Sequence, residues 1–164
     1  MLSSRAKYAL RAALVLAEAQ PAGRWTSAQT IAERSNTPRK FLEAILVQLR
    51  DEGVIESRRG PVGGHKLLRP ADQVTVADVI RIIDGPIALT PCASRTQTGV
   101  CRDCPDRRSC QLTQLMQRVR DAAAGVLEGC SLADLNQPPN LAKDVGHIQG
   151  NGIPDGIFPG LPRV

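Results

Sequence analysis

Residues 37–68, TPRKFLEAILVQLRDEGVIESRRGPVGGHKLL, set a helical pattern directly against a hairpin pattern. Thr37 is a good helix N-cap, Pro38 suits the first helical position, and Gly53 suits the position just past the end. Between them Phe41, Leu42, Ile45, Leu46 and Leu49 recur at helical spacing and form an apolar face. After Gly53 the pattern changes. Val54 and Ile55 begin a strand, Lys66 to Leu68 form its return, and Gly60, Pro61, Gly63 and Gly64 supply the turn.

On the N-terminal side, AQTIAERS (28–35) reads as a helix capped by Thr26 or Ser27, with Ala28, Ile31 and Ala32 inward and an end near Asn36. Only a few residues separate it from the next helix, which opens with Arg39 and Lys40. Two helices joined so tightly have the form of a helix-turn-helix, and the hairpin behind them makes a winged helix. Arg58 and Arg59 stand at the wing beside a glycine loop, suited to a minor groove or to phosphates. Ahead of these parts a first helix spans about 4–19. Ser3 or Ser4 caps it, Ala6, Ala9, Leu10, Ala13, Leu14 and Ala17 form its stripe, and Pro21 and Gly23 stop it. Apolar stripes are usually core, and these pack too. The order of parts, with basic residues on exposed positions, favours DNA binding over a purely structural role.

Charge agrees with that reading. The chain of 164 residues carries +5, but residues 1–70 hold 12 Lys/Arg against 6 Asp/Glu, a balance of +6. Residues 71–164 hold 9 against 10, a balance of −1. A basic N-terminal half is what neutralising DNA phosphates requires. Aromatics make up only 2% of the chain, so the core is aliphatic. No run approaches the roughly 18 apolar residues of a membrane span. Arg11 and Glu18 interrupt the first apolar stretch, which is read as a folded helix of a cytoplasmic protein and not as a leader.

Beyond the wing, VTVADVIRIIDG (74–85) reads as a helix capped near Thr75, with Val76, Val79, Ile80 and Ile83 buried. A longer helix begins after Cys110, and Leu112, Leu115, Met116, Val119, Ala123 and Val126 line one side of it. That stripe suits a partner helix from a second subunit. SLADL (131–135) is a short capped turn. The tail from Asn136 to Val164 has five Pro and five Gly in 29 residues, a composition that cannot bury a core. The expected organisation is a winged helix-turn-helix over 1–70, a helix, cysteine loop and dimerisation helix over 71–135, and a flexible tail over 136–164.

Four of the five cysteines, Cys92, Cys101, Cys104 and Cys110, fall within residues 91–110, PCASRTQTGVCRDCPDRRSC. Cytosolic thiols stay reduced, which argues against a disulfide framework. Cys101 and Cys104 form C-x2-C, and Cys92 and Cys110 lie near enough to complete four thiolates. Zinc accepts that set as a closed tetrahedral site. An iron–sulfur cluster, [2Fe–2S] or [4Fe–4S], accepts it equally, and unliganded thiols in a metal-free interaction module are the minor third alternative. Arg95, Arg102, Arg107 and Arg108 offset the thiolate charge and offer hydrogen bonds to sulfur.

The order of SSRAKYALRA (3–12), PRKFLEAILVQLRDEGVIESRRGPVGGHKLL (38–68) and a cysteine loop before a long helix resembles the iron–sulfur cluster regulator family of bacterial winged-helix repressors, the IscR, NsrR and RirA type. The resemblance spans about residues 1–135, and R-G-P-x-G-G at the wing is its most specific element. It implies a homodimer joined by the long helix, a palindromic operator in double-stranded DNA, and a cluster in the loop that senses iron, redox state or nitric oxide. It places Arg39 and Lys40 on the major-groove side and Arg58 and Arg59 at the wing. Ser27, Thr37, Gly60 and Gly63 complete the expected DNA-binding positions. The family's three cysteines map to Cys92, Cys104 and Cys110. Cys101 is an extra thiol in a longer loop and the expected fourth ligand, a residue of the partner's first helix being the alternative. Thr113 stands where the cluster-assembly regulators carry a ligand histidine, and Tyr8 where some relatives carry an acidic ligand.

The remaining residues have plainer readings. Cys130 is a semi-buried thiol, His65 a surface or DNA-backbone contact, His147 solvated, and Trp25 a core anchor. Phosphate-binding, dinucleotide, metalloprotease and serine-hydrolase motifs are all missing, and GPVGG is a turn with no helix after it to receive a phosphate. With two histidines, one of them in the tail, acid–base machinery is poor. No enzyme and no small-molecule substrate is expected.

Overall fold

The computed structural model describes residues 2–60, 62–96, 99, 101 and 110–137. Helix α1 (Ser4–Ala19) begins at Ser3, whose hydroxyl accepts the Ala6 N–H at 3.0 Å. Ala6, Ala9, Ala13 and Ala17 are buried along the stripe read from sequence, with Leu10 and Leu14 half-buried beside it. A second face is buried as well: Ala12, Val15, Leu16 and Ala19. The many alanines let neighbouring elements approach α1 closely on nearly every side. A 3-10 turn at Gln20–Ala22 ends it, and Gly23 takes φ +62° where the chain reverses.

Helix α2 (Ala28–Ser35) is capped by Ser27, whose Oγ accepts the Thr30 N–H at 3.1 Å, and it closes on Asn36 in the left-handed region. Helix α3 (Arg39–Asp51) starts one residue later than expected. Thr37 does not cap it. Its N–H donates to Ala32 O at 3.0 Å and its hydroxyl reaches Ser35 O at 3.4 Å, so this buried side chain closes the turn instead. Pro38 holds the cap position, its carbonyl accepting from Phe41 and Leu42. At the other end the Gly53 N–H donates to Arg50 O and the Val54 N–H to Leu49 O, both at 2.9 Å, with Gly53 at φ +68°. That is a Schellman closure, and it aims the chain straight into the wing.

Strands β1 (Ile55–Arg58) and β2 (Gly64–Leu67) pair antiparallel, Ile55 opposite Leu67 and Arg58 opposite Gly64. Helix α4 (Val76–Asp84) has a full capping box between Thr75 and Asp78, and Val76, Val79 and Ile80 are buried while Ile83 is half-buried. Helix α5 (Gln111–Glu128) follows the cysteine loop, and α6 (Leu132–Leu135) carries a second capping box, Ser131 with Asp134.

One aliphatic core holds these elements together. Leu16 of α1, Ile31 of α2, Leu42, Ile45 and Leu49 of α3, Ile55 and Leu67 of the hairpin, Val79 of α4 and Leu132 of α6 all belong to it. Two expected members do not. Phe41 is 45% exposed and stacks on Tyr8, ring centroids 6.2 Å apart and planes 24° apart. Trp25 is half-buried outside the core, with Lys66 Nζ 4.7 Å from its ring centre. Cys130 is half-buried, as expected. His147 and the tail beyond Gln137 lie outside the described residues.

Candidate DNA interface and cysteine loop

Two groups of side chains carry the functional reading. The first faces outward from α2, α3 and the wing. Ser27, exposed at the start of α2, shares a hydrogen bond of 2.9 Å with Thr30 Oγ1. Arg39 and Lys40 stand exposed on the first turn of α3. Arg39 Nε pairs with Glu43 at 3.2 Å, both side chains more than 60% exposed, so a phosphate can displace the carboxylate at little cost. Lys40 Nζ lies 4.9 Å from the Phe41 ring centre. Val47 and Arg50 continue the exposed face of α3.

Between this face and the wing lies a groove of about 280 Å³, lined among others by Val47, Arg50, Ser57, Arg58, Arg59 and His65. Arg58, Arg59 and Gly60 are fully on the surface. Gly63 permits the wing turn by close approach: a Cβ there would stand 2.2 Å from Arg58 O. His65 Nδ1 lies 2.8 Å from Ser57 Oγ, and its backbone exchanges hydrogen bonds with Thr26. Burial, and secondarily the Arg50 guanidinium, hold its pKa below the ordinary 6.5. Seven of the eight expected DNA-binding positions, Ser27, Arg39, Lys40, Arg58, Arg59, Gly60 and Gly63, therefore lie on α2, α3 or the wing. Thr37 differs, being buried in the turn. Val47 and Arg50, which were not among the expected positions, line this groove one and two turns beyond Glu43 on the exposed face of α3.

The second group is the cysteine loop. Cys92 is buried on a 3-10 turn, Pro91–Ala93, and Arg120 of α5 ties that turn down by donating to Ala93 O. Among the described residues, Thr90 Oγ1 at 3.3 Å, Thr113 Oγ1 at 3.9 Å and Cys101 Sγ at 3.9 Å lie against its sulfur. The Thr90 hydroxyl holds the thiol below its ordinary pKa against the opposing effect of burial, and Thr113 and Cys101 add to the lowering. Thr113, the one buried residue of α5, thus points at a sulfur as a hydrogen-bond donor. Cys110 occupies the N-cap of α5, where the helix's positive end favours a thiolate. Cys104, with Arg102, Arg107 and Arg108, lies outside the described residues. Among the described residues Cys92 and Cys101 are brought together, and no group of three or more His, Cys, Asp or Glu stands poised for a metal.

The thiolates fit a thiophilic metal centre on their chemistry. The sulfur of Cys92 is enclosed, fed by hydroxyl donors and biased toward the anion that a metal requires. Helix-turn-helix, basic α3 face and arginine wing together define a winged-helix DNA-binding protein. The Rrf2 family model, described as iron-dependent transcriptional regulators, matches residues 2–138. A Rhodobacter capsulatus protein named as an rrf2-like HTH-type transcriptional regulator is 37% identical over 144 residues, covering 87% of this chain and 96% of its own. CymR of Bacillus subtilis is 31% identical over 134 residues, covering 82% and 88%. The structure of CymR, titled the global cysteine regulator of B. subtilis, superposes with a TM-score of 0.65 at 29% identity, over 83% of this chain and 95% of that one. IscR of T. potens superposes with a TM-score of 0.62 at 25% identity, over 93% of each. The chain belongs to the Rrf2 family. It is an HTH-type transcriptional regulator and not an enzyme.

Proposed function

We propose that this regulator is a cytoplasmic homodimeric repressor of a palindromic operator, whose affinity is set by an iron–sulfur cluster held by Cys92, Cys101, Cys104 and Cys110. Iron supply, redox state or nitric oxide is the signal. The observation that carries the reading is the sulfur pair Cys92–Cys101 at 3.9 Å, with two threonine hydroxyls aimed at the buried member. A bound cluster supplies a centre whose charge and ligation change with that signal.

The chain's own residues divide the work. Residues 1–70 read DNA: α3 enters the major groove with Arg39 and Lys40 at its leading end, and Arg58 and Arg59 take phosphates or the adjoining minor groove. Residues 71–135 hold the loop and the subunit contact, and residues 136–164 form an appendage. On α5, Leu112 is 64% exposed, Leu115 50%, Val119 37% and Val126 70%, a stripe suited to the same stripe of a second copy. The loop lies between α4 and α5 along the chain, so cluster binding or loss there repositions α5 and with it the spacing of the two α3 helices. Coupling of this kind is worth about 1–3 kcal/mol, roughly 5–150-fold in affinity.

The test compares operator binding by anaerobically purified protein with binding by the same protein after its metal is stripped. Unequal affinities support the reading. Equal affinities overturn it, and so does a colourless protein that contains only zinc.

A further inference from the structure

A cavity of about 390 Å³ lies between α1 and the end of α2, apart from the wing groove and the cysteine loop. Arg11, Leu14, Val15 and Glu18 fall on one face of α1 and line one side of it. Arg34 and Ser35, at the end of α2, line the other. Arg34 pairs with Glu18 between the two walls. Arg11 has no ion pair or side-chain hydrogen bond among the described residues, so the walls carry one uncompensated positive charge. Ser35 is only 4% exposed, and its hydroxyl has no hydrogen-bond partner among the described residues. Leaving a buried hydroxyl unpaired is costly, and such groups are ordinarily satisfied. Leu14 and Val15 give the same cavity an aliphatic surface.

We infer that this cavity is an effector site for a short-chain monocarboxylate that carries an oxo or hydroxyl group on the carbon next to its carboxyl group. Arg11 takes the carboxylate, which supplies the one missing negative charge. Ser35 bonds the neighbouring oxygen, and the short alkyl body lies on Leu14 and Val15. The volume lies within the range of about 300–1,000 Å³ usual for small-molecule pockets. A bare inorganic anion would leave the aliphatic surface unused. The site acts on the DNA reader through the turn between α2 and α3. Ser35 O accepts the Thr37 hydroxyl at 3.4 Å, and Thr37 closes the chain into α3. A ligand held by Ser35 therefore bears on the residue that sets how α3 leaves α2. None of this depends on what the cysteine loop holds.

Isothermal titration calorimetry of the full chain uses 2-oxobutyrate and 2-hydroxybutyrate as probes, with butyrate and inorganic sulfate for comparison. The better probe should bind about tenfold more tightly than butyrate, and sulfate more weakly than either. Arg11→Ala should weaken the probe by about 10- to 100-fold. Arg24→Ala, the same charge change outside the cavity, should leave it alone. Ser35→Ala keeps the fold, because the hydroxyl has no partner to lose, and should reduce the probe to the affinity of butyrate. Fluorescence anisotropy should show operator affinity changing by about fivefold or more at saturating probe, and no change in Arg11→Ala. Failure of both probes to bind overturns the inference. So does sulfate binding as tightly as the probe, equal losses in Arg11→Ala and Arg24→Ala, or a Ser35→Ala protein that still prefers the probe to butyrate. An operator affinity that saturating probe leaves unchanged overturns it too.

Discussion

Thr26 and His65 exchange both backbone hydrogen bonds, Thr26 N–H to His65 O at 3.0 Å and His65 N–H to Thr26 O at 2.8 Å. This one bridge fastens the wing to the residue just before the Ser27 cap of α2. The Schellman closure at Gly53 fastens its other end to α3. The wing is thus held at both ends by the helix-turn-helix, and Arg58 and Arg59 keep a fixed offset from Arg39 and Lys40.

Arg58→Ala and Arg59→Ala should weaken operator and non-specific DNA alike. The slope of log affinity against log salt should fall by about 0.9 for each phosphate the variant no longer neutralises. Fluorescence anisotropy at several salt concentrations measures it, and an unchanged slope removes the wing from the interface.

Gly63→Ala places a methyl group 2.2 Å from Arg58 O. The wing backbone must shift, at a cost of about 1–3 kcal/mol. A lower denaturation midpoint and weaker DNA binding are expected together. Gly23→Ala, with open space around its Cβ, tests positive φ without a clash and should cost about 1 kcal/mol while leaving DNA binding intact.

On α5, Leu115→Glu combined with Val119→Glu should give a monomer in sedimentation velocity, because the charges fall on the exposed stripe and not in the core. Without the second half-site, operator binding should weaken by about 10²–10⁴-fold. A dimer that survives both changes moves the subunit contact elsewhere.

Among the described residues, His65 and Asp134 each contribute to the acid side of the stability profile. His65 is held below 6.5 by burial and by Arg50, so the unfolded chain takes the proton first and stability falls as pH drops below about 6.5. His65→Gln should flatten that part of the curve. Asp134 is held below its ordinary 3.8 by the Ser131 hydroxyl and then the Ser131 N–H, so its contribution is present above that value and disappears at lower pH. Ser131→Ala should cost about 0.5–2 kcal/mol at neutral pH by removing the cap. Urea midpoints from pH 3 to 8 separate the two residues.

Much of this was legible in the residues. The extent of α1, the tight α2–α3 turn, the wing glycines and the Thr75 cap are local signals, each readable within one turn of chain. Periodicity failed where a second layer decides the outcome. It showed one buried face of α1, but Ala12, Val15 and Leu16 are buried too, because α1 packs against α2, α3, α4 and β2 together. It put Phe41 in the core because its spacing is right, whereas the ring lies on Tyr8 at the surface. Thr37 has an ideal N-cap identity and spends its hydroxyl on Ser35 O instead. In the loop, spacing favoured Cys101 with Cys104, and only the fold shows Cys101 and Thr113 each against Cys92. Pairings across a loop have no signature along the chain.

Just outside the ends of the segment from α4 to α5, two more backbone bonds meet: Val76 N–H to Cys130 O and Leu132 N–H to Val74 O, both at 2.9 Å. The chain from residue 76 to residue 130 therefore departs and returns through a single clasp. With α4 kept in the core, the remainder of that excursion can be lengthened, shortened or replaced without altering where its two ends are held. Such an arrangement marks the clasp as the junction at which chimaeras of this chain should be cut.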